Sequence, residues 1–183
     1  MVELTLNELI MSDYIKPIVG FISAEALHIK PENKLKQLIK NLKYRNPFDP
    51  KNDPVVKLME TNNPAVVSLL IEALSDPEAN IRQGAALILG HKEEHSAVKS
   101  LIDLLEDPDL YVRATAANSL KKLKDERAVG ALIKCLNDVA SEVRRSAAIA
   151  LKSIGSSEAI EVLKKLAQNN NDLSLKDIVR AFI

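Results

Sequence analysis

The segment Leu-Ser-Asp-Pro at residues 74–77 returns as Leu-Glu-Asp-Pro at 105–108 and as Leu-Asn-Asp-Val at 136–139, each time 31 residues further on. Many positions around these segments keep the same step. They include Arg82, Arg113 and Arg144, the alanine pairs that begin at Ala85, Ala116 and Ala147, and Leu89, Leu120 and Leu151. A period shared by so many positions is typical of repeat proteins, in which each repeat is one supersecondary unit.

Each repeat contains two helical patterns separated by the Asp-Pro turn. The first has apolar residues at i, i+3, i+4 and i+7, namely Val67, Leu70, Ile71 and Leu74. The second consists of Ile81, Ala85, Ile88 and Leu89. Proline cannot continue a helix interior, so Asp76-Pro77 separates the two helices. One pair of short helices cannot bury both stripes, whereas stacked pairs can. We therefore predict an all-α fold, an α-solenoid of stacked antiparallel helix pairs.

Residues at the ends of these helices also recur. Asn63, Asp125 and Ser156 occupy one register position before the first helix, and their side-chain oxygens suit an N-cap. Glu94 holds that position in the second repeat, where it is a weaker capping residue. Gly90 and Gly155 follow the second helices and predict C-caps.

The recurring pattern is Asp-Pro, four residues, Arg, two residues, Ala-Ala, two residues and Leu. It resembles HEAT repeats, most closely the short variant of the phycobilin lyases, over about 63–168. The resemblance implies that aspartates and arginines of successive repeats form a hydrogen-bonded ladder with a structural, non-catalytic role. Its members here are Asp76, Asp107 and Asp138 with Arg82, Arg113 and Arg144. Val139 replaces the proline of the third turn.

The repeats predict three regions. Residues 1–30 form an N-terminal helical cap, and residues 31–62 form a degenerate repeat with a helix over 31–45 and a short helix over 55–60. Residues 63–183 contain three full repeats and a C-terminal capping repeat, whose last helix begins at Ser174. Terminal repeats of solenoids are atypical because one face meets water.

Composition excludes several classes of protein. The 25 basic and 25 acidic residues give no net charge, which disfavours a nucleic-acid-binding protein. Aromatic residues make up 3% and tryptophan is absent, so base-stacking platforms are disfavoured too. A lone cysteine forbids an internal disulfide, and no apolar run is long enough for a membrane span. We therefore predict a cytoplasmic location.

No residue pattern predicts catalysis, a cofactor or a metal site. His91-Lys-Glu-Glu-His95 has metal-pair spacing, but it spans an inter-repeat turn and lacks further ligands. Cys135 aligns with Ala73 and Leu104, which indicates a small buried hydrophobe and not a nucleophile. The His-Glu pairs of HEAT-like di-iron hydroxylases are absent, as is a glycine-rich phosphate loop. We predict that the chain is not an enzyme.

The resemblance implies a function in protein binding, with the second helices lining a concave surface. We predict a non-enzymatic scaffold or adaptor that presents this surface to a protein partner. Positions 80, 83 and 87 of each second helix share a face turned away from the core. The predicted partner-binding residues on that face are Leu87, Tyr111, Asn118, Arg145 and Ile149. Tyrosine and arginine dominate many binding energies, so Tyr111 and Arg145 are the anchors.

Other interpretations remain open. Leu87 and Ile149 can instead pack against neighbouring helices. The chain can be an accessory subunit or lyase-like maturation factor that acts with a second chain, or, third, a weak nucleic-acid binder. The basic helix at 34–45, with Lys34, Lys36, Lys40 and Lys43, is either a solvated face or a surface that lies on an anionic membrane or nucleic acid.

Overall fold

The computed structural model describes residues 31–44, 51 and 53–169 of the chain. These residues form nine α-helices and no strand, which confirms the all-α prediction. The helices are α1 (Pro31–Lys40), α2 (Pro54–Glu60), α3 (Ala65–Ala73), α4 (Ala79–His91), α5 (Val98–Asp103), α6 (Leu110–Leu123), α7 (Val129–Cys135), α8 (Ser141–Ile154) and α9 (Ser157–Asn169). Four 3₁₀ turns accompany them: Asn41–Tyr44, His95–Ala97, Leu104–Glu106 and Glu126–Ala128.

By its internal contacts the chain divides into two units, Met1–Leu35 and Lys36–Ile183. Of the first unit, the structure describes only residues 31–35, at the start of α1. The predicted N-terminal cap and the predicted last helix from Ser174 lie outside the described residues. The three-region division of the chain therefore stays a prediction.

Within the second unit the three full repeats form two layers. The second helices α4, α6 and α8 pack side by side, with α6 between the other two. The first helices α3, α5 and α7 each pack on the second helix of their own repeat. Leu70, Leu101 and Leu132 of the first helices are completely buried between the layers. This is the stacked arrangement of helix pairs that the 31-residue period predicts.

The two apolar stripes differ in how well they were predicted. The four residues of the second-helix stripe in α4 are all buried as expected, namely Ile81, Ala85, Ile88 and Leu89. In α3, however, Val67 and Ile71 are only half-buried. The residues that α3 buries are Val66, Leu70, Ala73 and Leu74. These follow i, i+4, i+7 and i+8, so the helical periodicity is right and the centre of the stripe is shifted by one residue.

The predicted N-caps all carry a hydrogen bond. Asn63 Oδ1 accepts from the Ala65 amide at 2.9 Å, and Asp125 Oδ1 accepts from the Arg127 amide at 3.0 Å. The equivalent bonds are from the Ser96 amide to Glu94 Oε1 at 3.1 Å and from the Ala159 amide to Ser156 Oγ at 3.2 Å. Glu94 therefore caps the 3₁₀ turn His95–Ala97, which leads into α5, despite its low intrinsic preference.

Gly90 is not the C-cap that we predicted. It lies inside α4, which runs on to His91, and it is buried. A Cβ atom at Gly90 would lie 2.5 Å from the Cβ of Ser119 in α6. The Ser119 hydroxyl donates to the Ala86 carbonyl of α4 at 2.8 Å, which ties the two backbones together. Gly90 is therefore required for the close approach of two second helices, and not for a turn.

The left-handed residue that ends each second helix lies three positions further on. Glu93, Lys124 and Gly155 have φ angles of 52°, 50° and 71°, and they are 31 residues apart. Only the third repeat fills this position with glycine, and Gly155 is a C-cap as predicted. The other two repeats hold non-glycine residues in a conformation that L-amino acids disfavour.

The degenerate repeat begins much as the sequence predicts. The helix over 31–45 is α-helical to Lys40 and continues as a 3₁₀ turn to Tyr44. The short helix predicted over 55–60 is α2, where Asp53 Oδ1 accepts from the Val55 amide at 2.8 Å. Lys92 Nζ donates at 3.0 Å to the carbonyls of Met59 and Thr61, which satisfies backbone acceptors at the end of α2.

Candidate protein-binding surface

A ladder of arginines and aspartates links the second helices along one edge. Arg113 donates from Nε to Asp138 Oδ2 at 2.7 Å and from Nη2 to Asp138 Oδ1 at 2.9 Å. Its Nη1 donates to the Asp107 carbonyl of its own repeat at 2.8 Å. Arg82 makes the same two-pronged contact with Asp107, at 2.7 and 2.8 Å. Arg82 and Arg113 thus each join the turn of their own repeat to the aspartate of the next, as the resemblance implied. Arg144 donates from Nη1 to the Asp138 carbonyl of its own turn at 2.8 Å.

The same aspartates also hold their own turns. Asp107 Oδ1 accepts from the Asp109 amide at 2.9 Å, and Asp138 Oδ1 accepts from the Ala140 amide at 2.8 Å. Burial by itself would raise the pKa of each carboxyl group. The hydrogen bonds from Arg82 to Asp107 and from Arg113 to Asp138, the backbone amide bonds and the charges of the arginines together outweigh burial, so both pKa values are lowered. The ladder is a structural device that sets the spacing of the second helices.

The residues of α4, α6 and α8 that point away from the core, in register with positions 80, 83 and 87, form one surface. We term it the second-helix surface. It contains the five predicted partner-binding residues. Tyr111 is 62% exposed and Arg145 is exposed as well. Leu87, Asn118 and Ile149 occupy one register position and are half-buried. The two anchors are therefore more accessible than the apolar pair, Leu87 and Ile149, which partly packs against neighbouring helices.

Hydrogen bonds between neighbouring helices hold the middle of this surface. Gln83 Nε2 donates to Thr115 Oγ1 at 3.2 Å. Asn118 Nδ2 donates to Ser146 Oγ at 3.2 Å and to the Ala114 carbonyl at 3.0 Å. Our sequence reasoning missed Thr115 and Ser146. They could have been recognised from the repeat, because Gly84, Thr115 and Ser146 are 31 residues apart and all three are small residues.

Basic residues at the carboxyl ends of the second helices were also missed. Lys122 and Lys152 are exposed, and Lys121 is half-buried. They occupy two adjacent register positions, shared with Gly90 and His91 of the first repeat. Because glycine and histidine stand there in α4, a search for identical residues at each period does not find the cluster.

Comparison with known proteins agrees with this architecture. The family model for HEAT repeats matches residues 35–121, 67–152 and 98–182, which together span most of the chain. The chain belongs to the HEAT repeat family. No curated protein matches it.

Solved structures with similar folds are natural and designed repeat proteins. A chain from the structure of the complex of CpcE and CpcF of phycocyanin lyase from Nostoc sp. PCC7120 is 19% identical in sequence to this chain. The match has a TM-score of 0.70 and covers 80% of this chain and 96% of that chain. A designed armadillo repeat protein in complex with the peptide (KR)4 is 20% identical, with a TM-score of 0.57 over 91% and 84% of the two chains. A computationally designed armadillo repeat protein for modular peptide recognition is 16% identical, with a TM-score of 0.54 over 92% and 96%. At these identities the likeness shows the fold alone.

The two histidines of this HEAT array have different partners. The ring nitrogens of His91 lie 3.1 and 3.3 Å from Lys122 Nζ, whereas His95 Nδ1 lies 3.8 Å from Asp125 Oδ2. Burial and the charge of Lys122 lower the pKa of His91. Within the described part of the chain, no three histidine, cysteine or acidic side chains are grouped so that they could hold a metal ion.

Cys135 lies in the core between the second and third HEAT repeats. It is 7% exposed, and its Sγ lies 3.9 Å from the Leu105 carbonyl oxygen. Burial raises the pKa of the thiol to about 11, so the thiolate is scarce at neutral pH. The prediction of a small buried hydrophobe agrees with this environment.

The predicted basic helix presents its lysines to solvent. Lys34, Lys36, Lys40 and Lys43 are all exposed. Lys43 Nζ lies 4.8 Å from the centre of the Tyr44 ring, and interaction with Tyr44 raises the lysine pKa. In residues 31–44 and 53–169, no helix is long and apolar enough to cross a membrane.

Proposed function

We propose that this HEAT repeat chain is a non-enzymatic adaptor or scaffold of the cytoplasm that binds a partner protein through its second-helix surface. The observation that carries the proposal is the exposure of Tyr111 on a tightly packed helix. A large aromatic side chain on a rigid backbone loses little conformational freedom on binding, so it is suited to anchor a partner. Arg145, one repeat further on, adds a second residue of a type that dominates interfaces.

Two solved neighbours support a protein or peptide as the partner. One is a complex of two chains, CpcE and CpcF, and the other is a designed armadillo repeat protein bound to a peptide. Solenoids present extended surfaces along their stacked helices, and this chain stacks three second helices in one layer.

The test is a double substitution, Tyr111→Ala with Arg145→Glu, measured against the partner that co-purifies with the unaltered chain. We expect affinity to fall at least about tenfold, since both changes remove hot-spot side chains. The thermal midpoint should stay within about 2 °C of the unaltered chain, because both side chains are exposed.

The matched control changes the opposite layer. Lys99→Ala with Lys134→Glu alters two exposed lysines of the first helices and should leave affinity unchanged. Equal loss from both variants, or no loss from Tyr111→Ala with Arg145→Glu, would exclude the second-helix surface. The basic helix at 34–45 would then be the next site to substitute.

A second candidate function is an accessory subunit or lyase-like maturation factor that acts with a second chain. The similarity to the CpcE–CpcF complex favours it, because the match extends over 96% of that chain. Mass spectrometry of the co-purifying partner separates the two functions. A stoichiometric complex with another helical-repeat chain would favour the accessory subunit, and a partner of unrelated fold would favour the adaptor.

A further inference from the structure

We propose that the second-helix surface binds an acidic segment of the partner protein. This inference rests on the proposed function and adds the chemistry of the partner. It follows from how charge is divided between the two helix layers.

The outward positions of α6 and α8 carry an excess of positive charge. Lys122 and Arg145 are exposed there, and two further lysines in the register of Gly90 flank them, Lys121, which is half-buried, and Lys152, which is exposed. The only acidic residue on the outward positions of α4, α6 and α8 is Glu142, in the first turn of α8. Each of these helices is described over its full length. Lys122 and Arg145, with Lys121 beside them, therefore outnumber the acidic side chains on the outward positions of these helices.

The outward face of the first helices has no such excess. Glu72 and Asp103 are exposed on α3 and α5, and Lys99 and Lys134 are exposed on α5 and α7. The charges of these four residues are balanced, as are those of the whole chain, which has as many basic as acidic residues. The positive surface is therefore a local property of one layer and not a consequence of a basic protein.

Further positive charge borders the other end of the same surface. Lys43, in the 3₁₀ turn Asn41–Tyr44, lines a hollow together with Asn80 and Gln83 of α4. Tyr44 beside it is 70% exposed. The outward residues of α4 between these two basic ends are uncharged, apart from the titratable ring of His91. Cations thus lie at both ends of a row of helices, although the charges of Glu78 and Asp76 also act on Lys43. The cations of α6 and α8 are therefore the ones that suit an extended chain with several carboxylates.

The centre of the surface suits a polypeptide better than a polynucleotide. Leu87 and Ile149 offer half-buried aliphatic surface, and Tyr111 offers an exposed ring. Nucleic-acid sites rely on many phosphate contacts, whereas this surface offers only a few cations. In an acidic segment that contains a few aliphatic residues, the carboxylates would complement the cations and the aliphatic side chains would contact Leu87 and Ile149.

The experiment uses two labelled peptides of equal length, (DE)4 and (KR)4, with the full chain and fluorescence anisotropy at about 50 mM salt, where surface charges are little screened. We expect (DE)4 to bind at least about tenfold more tightly than (KR)4. Lys122→Glu with Arg145→Glu should lower the affinity for (DE)4 about tenfold. The control, Lys99→Glu with Lys134→Glu, makes the same change in net charge on the first helices and should lower it less than about threefold.

The outcomes separate this inference from the proposed function. Tighter binding of (KR)4, lost with Tyr111→Ala, would overturn the acidic preference and leave the peptide-binding function intact. Binding of (DE)4 that only the first-helix control lowers would overturn both the inference and the proposed surface. Absence of binding by either peptide would overturn the inference, and the co-purification experiment then decides the function. Tighter binding of a single-stranded oligothymidylate than of (DE)4 would show that the cations serve a nucleic acid.

Discussion

The two helix layers of this HEAT array are built differently, although they come from the same repeats. The second helices α4, α6 and α8 have 13, 14 and 14 residues. The first helices α3, α5 and α7 have 9, 6 and 7 residues, and 3₁₀ turns flank α5 and α7. Long unbroken helices in one layer provide an ordered row of outward side chains. The short helices of the other layer mainly supply apolar residues to the core.

The two layers also differ in the size of the side chains at their contacts. Second helices contact each other through small residues such as Gly90, Ser119 and the completely buried alanines Ala86, Ala117 and Ala148. First helices fill the space beneath them with large aliphatic residues such as Leu101 and Leu132. The comparison predicts that the two layers respond in opposite ways to a change in side-chain volume.

The largest effect is expected from a deletion in the first-helix layer. Leu132→Ala removes a completely buried aliphatic side chain. We expect the free energy of unfolding to fall by about 2–5 kcal/mol, because the substitution leaves a cavity that the rigid second helices cannot collapse to fill. Thermal unfolding followed by circular dichroism measures it. A thermal midpoint that Leu132→Ala does not move would show that the core is not where the repeat places it.

The next effect comes from an insertion in the second-helix layer. Gly90→Ala places a Cβ atom 2.5 Å from the Cβ of Ser119, so α4 and α6 must separate. We expect a loss of about 1–3 kcal/mol, as for other overpacked sites. Ser119→Gly in the same chain should restore part of it, because it removes the clashing Cβ and Oγ atoms, although the Cα at 2.7 Å remains.

The matched control for Gly90→Ala lies in the first-helix layer. Gly130, in α7, has no atom within 4 Å of its added Cβ. Gly130→Ala should therefore raise the free energy of unfolding by up to about 1 kcal/mol, because alanine is the better helix former. The same substitution would then have opposite signs in the two layers. If both alanines destabilise equally, close helix approach is not what distinguishes the layers.

The contrast at the two glycines also shows how far the sequence could predict the structure. The 31-residue period sufficed for the helix pairs, the buried stripe from Ile81 to Leu89 and the N-caps, because each depends on local spacing. Gly90 was misinterpreted because a glycine near a helix end suits either a C-cap or a close approach, and only the position of Ser119 decides. Val67 was wrongly predicted to be buried, because which side of α3 packs against other helices depends on residues that are distant in sequence.

For the candidate site, exposure was the part that the sequence could not supply. The helical period placed Tyr111 and Arg145 on the outward face, where both are exposed. It placed Ala114 there too, yet Ala114 is 6% exposed because its neighbours overhang so small a side chain. The lysines at 121, 122 and 152 were overlooked because a charge excess on one face does not need identical residues at each period.

The ladder at the edge of the second-helix layer gives a pH-dependent effect of intermediate size. Asp107→Asn removes the charge that accepts two bonds from Arg82. We expect a loss of about 1–3 kcal/mol at neutral pH, as for hydrogen bonds between charged groups. Since the pKa of Asp107 is lowered on folding, its contribution is complete above its unfolded value of about 3.9 and is lost as pH falls through the folded value.

Stability measured from about pH 7 to about pH 2 tests this expectation. The difference between the unaltered chain and Asp107→Asn should shrink towards the acid end. Asp103→Asn, on the exposed face of α5, is the control and should change stability by less than about 0.5 kcal/mol at any pH. A difference that stays constant down to the acid end would mean that Asp107 contributes through its shape and not through its charge.

The smallest effect distinguishes the repeats within the second-helix layer. Lys124, which ends α6, has a φ of 50°, whereas the equivalent residue after α8 is Gly155. The Lys124 side chain is exposed, so Lys124→Gly removes backbone strain without removing core packing. We expect a gain of about 0.5–1 kcal/mol, because release of the left-handed strain exceeds the extra entropy of glycine in the unfolded chain. That corresponds to a rise of roughly 1–4 °C in the thermal midpoint. Gly155→Ala makes the reverse change in the third repeat and should lower the midpoint by a similar amount. A loss of stability with Lys124→Gly would mean that the lysine side chain contributes more at the end of α6 than its backbone strain takes away.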